Sequence, residues 1–582
     1  MVRGFIDVVS AVFGRQGEFL DSNSMVQDVC LVCSLNLVDK ELHQQYRICP
    51  QCRFHYSVTP RQRIELLTDP KTFKEKYKNI SSLDPLGFSS KITYRSRLFN
   101  DQKRTGLTEA AIIGEAKIQG TQVVLSILDF SFLGGGMGSV VGEKIALACE
   151  YAIQKDLPLV SVITSGGIRL QEGALSLMQM AKAAAATNKL HKKGLPYLAI
   201  LANPATGQAY ASFANLADVI LAEPGALIGL APLRSLQQME GEPLPLEAHN
   251  AESHLANGMI DGVVERVDLS NTIGTFVKLL SSPRIHSKVL KPRNRKESAK
   301  QRPEAWEAVQ RTRHPNRPTT RDYIEKLFAQ FIEIRGDRLT GDDPTVICGL
   351  AELTGKTIVL IGQQRINKRP DQQNYITPSG FHKIRRGLTI ANKFSLPVIT
   401  FIDTSGPSMT LEAEQKGIGP AIAHTSSAIL DINVPTIALI IGEGGREGAL
   451  ALSMTDTVLM MENAIYTPVS PEQAANLMYR DSTRVSEAAH SLRLTARDAK
   501  EMNIIDKIIA EPEGGAHTDI TKTSTTIQEN LIREIALIQG SSMDKLISKR
   551  YKKFRNMGAY TDHFQSAVAR EITLLRESNK KK

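Results

Sequence analysis

Four cysteines near the start of this 582-residue chain fall into two tight pairs, Cys30-Leu31-Val32-Cys33 and Cys49-Pro50-Gln51-Cys52, fifteen residues apart. Each short knuckle lets two thiolates converge on one ion, and four soft ligands in a tetrahedron suit zinc. A redox dithiol would use one pair beside a βαβ unit and leave the second without a task, so the spacing favours metal. Four Cys ligands close the coordination sphere, which makes a zinc held by Cys30, Cys33, Cys49 and Cys52 structural and not catalytic. Cys149 and Cys348 stand alone in helix and strand patterns and read as core packing.

Three glycine turns follow strand-like runs: Gly134-Gly135-Gly136-Met137-Gly138-Ser139, Ser165-Gly166-Gly167, and Gly442-Glu443-Gly444-Gly445-Arg446-Glu447-Gly448. Glycine allows positive φ and close approach of a ligand to the backbone, and amides opening the next helix face outward at the positive end of its dipole. Such turns bind phosphate or stabilise an oxyanion. None fits G-x-x-x-x-G-K-[ST], and any one alone reads as a plain tight turn. His314, His382 and His517 are scattered, with no Ser-His-Asp set around them. Chemistry run mainly by backbone donors on an enolate would leave this kind of record.

The elements that carry these turns alternate. Residues 121–128, 157–163 and 197–201 read as strands, and 143–153 and 173–190 as helices, a βαβ order that implies a mostly parallel sheet covered by helices. The order then repeats. Leu157-Pro158 and Leu396-Pro397 each head a strand, as do Leu195-Pro196 and Val434-Pro435, and both Pro pairs are 239 residues apart. The Asp after each second strand, Asp218 or Asp456, recurs at an offset of 238. Equal spacing across separate landmarks indicates an internal duplication, hence two similar lobes.

Composition agrees with a soluble globular protein: 42% hydrophobic and 23% charged residues, with aromatics at 5%. Six cysteines in so long a chain cannot form a disulfide framework. No apolar run is long enough to span a membrane, and the opening apolar segment is interrupted by Asp7, so a cytoplasmic protein is expected. The net charge of +10 is concentrated at 283–302, where eight Lys or Arg face one Glu. That stretch reads as a solvated linker, the alternative being attraction to an anionic partner.

Taken together, the sequence resembles the acetyl-coenzyme A carboxylase carboxyltransferase of bacteria, beta subunit followed by alpha subunit, over nearly its whole length. The beta-type stretches are the cysteine knuckles, 130–142, 165–172, 176–182 and Ala222-Glu223-Pro224. The alpha-type stretches are Arg313-His314-Pro315-Asn316-Arg317-Pro318, Gly336-Asp337-Arg338 with Asp342-Asp343, Phe401-Ile402-Asp403-Thr404, Ile441-Gly442-Glu443-Gly444-Gly445, Ser470-Pro471-Glu472, and Glu511-Pro512 with Gly514-Gly515-Ala516-His517.

The resemblance implies an α/β protein of two crotonase-like (ClpP/crotonase) lobes behind a small zinc ribbon. The expected domains are a ribbon at 1–60, a beta-type lobe at 61–282, a basic linker at 283–303 and an alpha-type lobe at 304–582. It implies carboxyl transfer from carboxybiotin, borne by a biotin carboxyl carrier protein and charged by biotin carboxylase, to acetyl-CoA, giving malonyl-CoA for fatty acid or polyketide-type synthesis. It further implies a homodimer and a site where beta-type and alpha-type lobes meet. Backbone amides of Gly207, Gln208, Glu447 and Gly448 are the expected oxyanion donors. Gly134, Gly135, Gly136, Gly138, Ser165, Gly166, Gly167, Arg169, Gly444 and Gly445 are the expected substrate-binding residues.

The departures from the family pattern fall on these turns. Asn203-Pro204-Ala205-Thr206-Gly207-Gln208 stands where the beta family has Asp-Pro-Thr before its glycines, and Gly444-Gly445-Arg446-Glu447-Gly448 stands where the alpha family has Gly-Gly-Ser-Gly-Gly. Ser405-Gly406-Pro407-Ser408-Met409-Thr410 and Gly229-Leu230-Ala231-Pro232-Leu233-Arg234 depart likewise. Side chains are therefore expected to crowd the pocket, with Glu447 adding negative charge where an anion develops. Two other readings stay open: a malonyl-thioester decarboxylase or hydrolase working without biotin, and a non-catalytic regulatory or RNA-binding protein using the basic ribbon and linker.

Overall fold

The computed structural model describes residues 28–88, 92–231, 233–240, 245, 248–281, 304–366, 374–539, 542–557, 569 and 571–572. The expected basic linker at 283–303 lies outside these residues. The chain forms two compact units, Met1–Pro283 with Ile332–Asp342, and Arg284–Phe331 with Asp343–Lys582. Residues expected in the alpha-type lobe, 332–342, thus pack with the first unit.

The first unit is built on strands β1 (Lys74–Lys76), β2 (Ala111–Ile118), β3 (Thr121–Leu128), β4 (Leu159–Ser165), β5 (Tyr197–Thr206), β6 (Val219–Ala222), β7 (Ile228–Gly229) and β8 (Gly262–Val263). They form one sheet in the order β1-β2-β3-β4-β5-β6-β8, with β7 paired to the end of β5. The hairpin β2–β3 is antiparallel and every pairing from β3 to β8 is parallel. Helix Ser139–Lys155 packs on β2, β3 and β4, and helix Ala174–Lys192 packs on it.

The second unit holds β9 (Gln330–Glu333) as far as Phe331, β10 (Val346–Leu353), β11 (Lys356–Gln363), β12 (Tyr375–Ile376), β13 (Val398–Thr404), β14 (Gly406–Pro407), β15 (Thr436–Gly445), β16 (Thr457–Met461), β17 (Ile465–Thr467) and β18 (Lys507–Ile509). The sheet runs β18-β16-β15-β13-β11-β10-β9, with β17 on the end of β15, while β12 pairs β14 separately. Its antiparallel hairpin β10–β11 followed by parallel pairings reproduces the first unit. Continuous Val, Ile and Leu runs suit strands covered on both faces.

The duplication extends to buried polar groups. Lys144 and Lys383 are each 2% exposed, and each ammonium donates at 2.8 Å to the first carbonyl of an equivalent strand, Ala111 or Val346. Asp218 accepts from the Tyr197 amide at 2.9 Å, and Asp456 from Thr436 at 2.8 Å. Asp261 accepts from Ile220 and Asp506 from Val458, both at 2.7 Å. Each of these interactions satisfies backbone at a strand start that the sheet ladder leaves open.

Both expected second strands prove longer than their apolar runs: β5 continues past Leu201 to Thr206, and β15 past Ile441 to Gly445. Small residues and glycines at these ends read as turn in the sequence. Pairing Ala205↔Ile228 and Gly444↔Tyr466 holds them extended. In both units the register shifts at the same place, between Ile163 and Ser165 and between Ile402 and Thr404, which bends the strand ends toward the following turns.

The cysteine ribbon docks on the first unit through a buried carboxylate. Glu223 is bound by Arg266 at 2.7 and 2.9 Å and by Arg63, and Arg266 also donates to the Tyr46 carbonyl at 2.7 Å. Burial alone would raise the Glu223 carboxyl, but the two guanidiniums outweigh it and hold it well below the usual carboxylate range. His55 lies 4.0 Å from Glu223 with neither ring nitrogen hydrogen-bonded, and burial pulls its imidazole down to about 4. Below pH 6.5 the unfolded chain takes up a proton that folded His55 refuses. Stability therefore falls as pH drops from 6.5 toward 4, by up to about 3 kcal/mol from this group. Thermal unfolding followed across that window will show a shallower pH slope in His55→Gln than in the parent chain; an unchanged slope would remove His55 as its source.

Candidate functional site

The two cysteine knuckles share one local geometry. The Ser34 amide donates to the Cys30 carbonyl and Arg53 to Cys49, and both Ser34 and Arg53 take left-handed φ, +59° and +58°. The matching turns aim four sulfurs at one point: all lie within 4.8 Å of one another, with Cys30–Cys52 and Cys33–Cys49 at 3.6 Å. Sulfurs bound at about 2.3 Å to a tetrahedral ion stand roughly 3.8 Å apart, whereas a disulfide needs about 2.05 Å. The four Sγ atoms thus fit a metal ion. Burial raises the Cys30 thiol, but the amides of Cys33 and Val32 and the Tyr56 hydroxyl, donating at 3.2 Å, outweigh it and bring it down to about 6. Cys30 is thus set to hold thiolate, the form a metal takes, while burial raises the thiols of Cys49 and Cys52.

In the first unit the glycine turns brace one another. Gly166 donates to the Gly134 carbonyl and Met137 to Gly167, both at 2.8 Å, and Arg169 donates to Met137 at 3.0 Å. Gly167, at φ +125°, lies against Gly207, where a Cβ would collide with the Gly167 Cα. The second unit repeats the arrangement. Gly406, at φ +126°, lies beneath Arg446, and a Cβ on Gly448 would stand 3.0 Å from the Gly406 carbonyl carbon. Ser165 and Thr404 both turn inward, their hydroxyls accepting from Gly167 at 3.2 Å and Gly406 at 3.1 Å.

These contacts divide the expected site residues. The helix opening at Ser139 already binds an anion, because the buried Glu172 carboxylate accepts the Ser139 amide at 2.6 Å, and a Cβ on Gly138 would meet it at 2.9 Å. Glu172 thus fills the helix mouth that Gly138 was expected to offer, while Gly134 and Gly135 take left-handed φ in the turn before it. Arg169 is 2% exposed and bound to Glu109 at 2.6 and 2.8 Å, so its charge is spent inside the lobe. Gly444 and Gly445 lie in β15, where added Cβ atoms would meet Tyr466 at 2.7 Å and Ser405 at 2.6 Å. The Gly207 amide is committed to the Gly229 carbonyl at 2.9 Å, which removes Gly207 as an oxyanion donor.

What remains open is a pair of equivalent helix-like turns. Among the described residues no backbone carbonyl takes the amides of Gln208 and Ala209 in the first unit. In the second, Glu447 and Gly448 occupy the opening turn of helix Arg446–Ser453, whose first amides have no partner within the helix. Ala209 was not singled out in the sequence, where no side chain marks a backbone donor. The Glu447 carboxylate points outward, 55% exposed and 3.8 Å from the Arg446 guanidinium, so the negative charge expected inside the pocket sits at the surface of its unit. Behind this turn Glu443 is raised by burial, with Arg313, 3.1 Å away, pulling it back in part.

Comparison with known proteins is consistent with this duplicated architecture. The profile of the family described as acetyl co-enzyme A carboxylase carboxyltransferase-like matches residues 277–558. A Clostridium tetani protein, acetyl-coenzyme A carboxylase carboxyl transferase subunits beta/alpha, is 39% identical over 91% of this chain and 93% of its own length. A protein of the same name from Natranaerobius thermophilus is 39% identical over 92% of this chain and 91% of its own. Among solved structures, transcarboxylase 12S superposes with a TM-score of 0.66 at 21% identity, covering 84% of this chain and 91% of that one, which supports the crotonase-like fold. With such identity sustained along both halves, the chain belongs to the acetyl-coenzyme A carboxylase carboxyltransferase family, with a beta-type and an alpha-type half in one polypeptide.

Proposed function

We propose that this chain transfers a carboxyl group from carboxybiotin, carried on a separate biotin carrier protein, to acetyl-CoA, giving malonyl-CoA. Family membership supports the reaction class, and one observation carries it to the residues: equivalent turns in the two units present unbonded backbone amides, Gln208 and Ala209 in one, Glu447 and Gly448 in the other. The reaction creates short-lived negative charge on two oxygens, the thioester enolate and the biotin ureido oxygen. One turn serves each. An amide fixed before the charge forms needs no reorganisation, and each such donor is worth roughly 3 kcal/mol.

As the N–CO2 bond of carboxybiotin breaks, the freed ureido nitrogen takes the α-proton of the acetyl thioester, and the enolate carbon bonds to the released carbon dioxide. No side-chain base is required of this chain, in keeping with the absence of a Ser-His-Asp set in its sequence. The same reading makes the ion of the cysteine cluster a structural zinc. It also assigns biotin carboxylase and its carrier protein as partners, a homodimer as the working form and the cytoplasm as its place. Among the described residues no helix is long and apolar enough to cross a membrane.

Purified protein supplied with carboxylated biotin carrier and acetyl-CoA will form malonyl-CoA. No product at any protein concentration, or turnover of malonyl-CoA without biotin, would replace this reading by a biotin-independent one. Gly448→Val pushes a branched side chain against Gly406 and Ile376, where even a Cβ would stand only 3.0–3.3 Å away. It will lower kcat about 100-fold while the circular dichroism spectrum stays unchanged. Elemental analysis will give one zinc per chain, and the double variant Cys33→Ser with Cys52→Ser will lose it together with several degrees of thermal midpoint.

A further inference from the structure

In each unit an aspartate pins one strand start by a two-way backbone clamp, buried in the case of Asp261. Asp261 accepts from the Ile220 amide at 2.7 Å and donates its own amide to the Ile220 carbonyl at 2.8 Å; Asp506 and Val458 do the same at 2.7 and 2.8 Å. A carboxylate withdrawn from water needs a cation. Asp506, which stays exposed, takes Lys553, at 2.5 Å, from helix Met543–Arg555, the chain's own later segment. Asp261 is 3% exposed and takes Arg338, also at 2.5 Å, from the segment 332–342 that follows the linker in sequence yet packs with the first unit.

This segment is shaped for the contact. The Asp337 carboxylate accepts the amides of Leu339, Thr340 and Gly341 at 2.7, 2.7 and 3.0 Å, closing a rigid loop, and Arg338 donates its own amide to the Gly258 carbonyl at 3.0 Å. A Cβ on Gly258 would collide with Gly341, and one on Gly336 would collide with Gly258, so backbone lies directly on backbone. From Gly258 the contacts lead inward. Met259 donates to the His254 carbonyl at 2.8 Å, and the His254 ring lies 5.8 Å from both Tyr210 and His249. His249 fills the space a side chain on Gly229 would need, and the Gly229 carbonyl holds the Gly207 amide at 2.9 Å.

We infer that Arg338 is a positioning residue for the Gly207–Gln208 turn: by neutralising Asp261 and seating Gly258, it fixes the wall of His254, His249 and Gly229 on which that turn rests. Its site of action lies in the beta-type half although its sequence lies in the alpha-type half, so the fused chain completes one turn with residues from beyond the linker. The effect on catalysis rests on the carboxyl-transfer reading; the effect on the turn does not.

The test uses the full chain with Arg338→Met, Arg338→Lys and the parent residue. Deuterium exchange of peptides covering 204–212 will be about tenfold faster in Arg338→Met, as expected for a lost bond to a charged group, with peptides covering 444–450 unchanged. In the carboxyl-transfer assay Arg338→Met will lower kcat on the order of 100-fold with KM for acetyl-CoA unchanged, and Arg338→Lys will restore most of it. Exchange at 204–212 equal to that of the parent in folded Arg338→Met overturns the inference. So does a loss in which kcat and KM move together and Arg338→Lys recovers nothing. If the parent chain shows no turnover, the functional reading fails and the exchange experiment alone decides the role of Arg338.

Discussion

Close approach of one backbone to another constrains both lobes more than any side-chain contact. Gly207 presses on Gly167 and Gly448 on Gly406, in each case just past a strand whose register shifts. The shift re-aims the strand ends, and the residues beneath, Gly167 and Gly406, take φ near +125°, a region that side chains strongly disfavour. With the turns so pressed, the amides that follow point away from the sheet and find no carbonyl. Free backbone donors in this fold are thus a by-product of packing: they are left over where a helix begins against a strand end.

Electrostatics inside each lobe follow the same economy. The duplicated aspartates and lysines satisfy strand starts in both halves, yet the cations on the acids come from unrelated places: Arg550 on Asp456, Arg338 on Asp261, and Lys553 on the exposed Asp506. A buried carboxylate demands a cation but not a particular origin for it. After duplication the acids stayed where the backbone needed them, and each half recruited whichever basic segment lay nearby.

Much of this was legible from residue order. Two C-x2-C knuckles at the right spacing imply converging sulfurs, and the 239-residue offset implies two lobes, because both signals rest on local geometry. The glycine turns were legible as turns and not as sites. Nothing in Gly134-Gly135-Gly136-Met137-Gly138 reveals that Glu172 already fills the helix mouth at Ser139, or that the Gly207 amide belongs to Gly229. A backbone donor has no sequence signature; its availability depends on which distant carbonyl arrives, and that is settled only by tertiary packing. Arg169 misled for the opposite reason, since its charge suggested a ligand while its partner, Glu109, lies sixty residues earlier.

The departures at Arg446 and Glu447 show how such a turn tolerates change. Arg446 takes φ +55° where its counterpart Gly207 takes +71°, so a left-handed slot suited to glycine holds a long side chain at a cost of roughly 1–2 kcal/mol. Part of that is offset locally. The arginine stem covers Gly406, with the nearest approach to a Cβ there 3.0 Å, and Glu447 in the first helical turn places its carboxylate at the positive end of the dipole, worth about 0.3–1 kcal/mol. Neither substitution touches the amides themselves. Because the donors belong to the main chain, the side chains above them are free to vary as long as the φ values beneath survive.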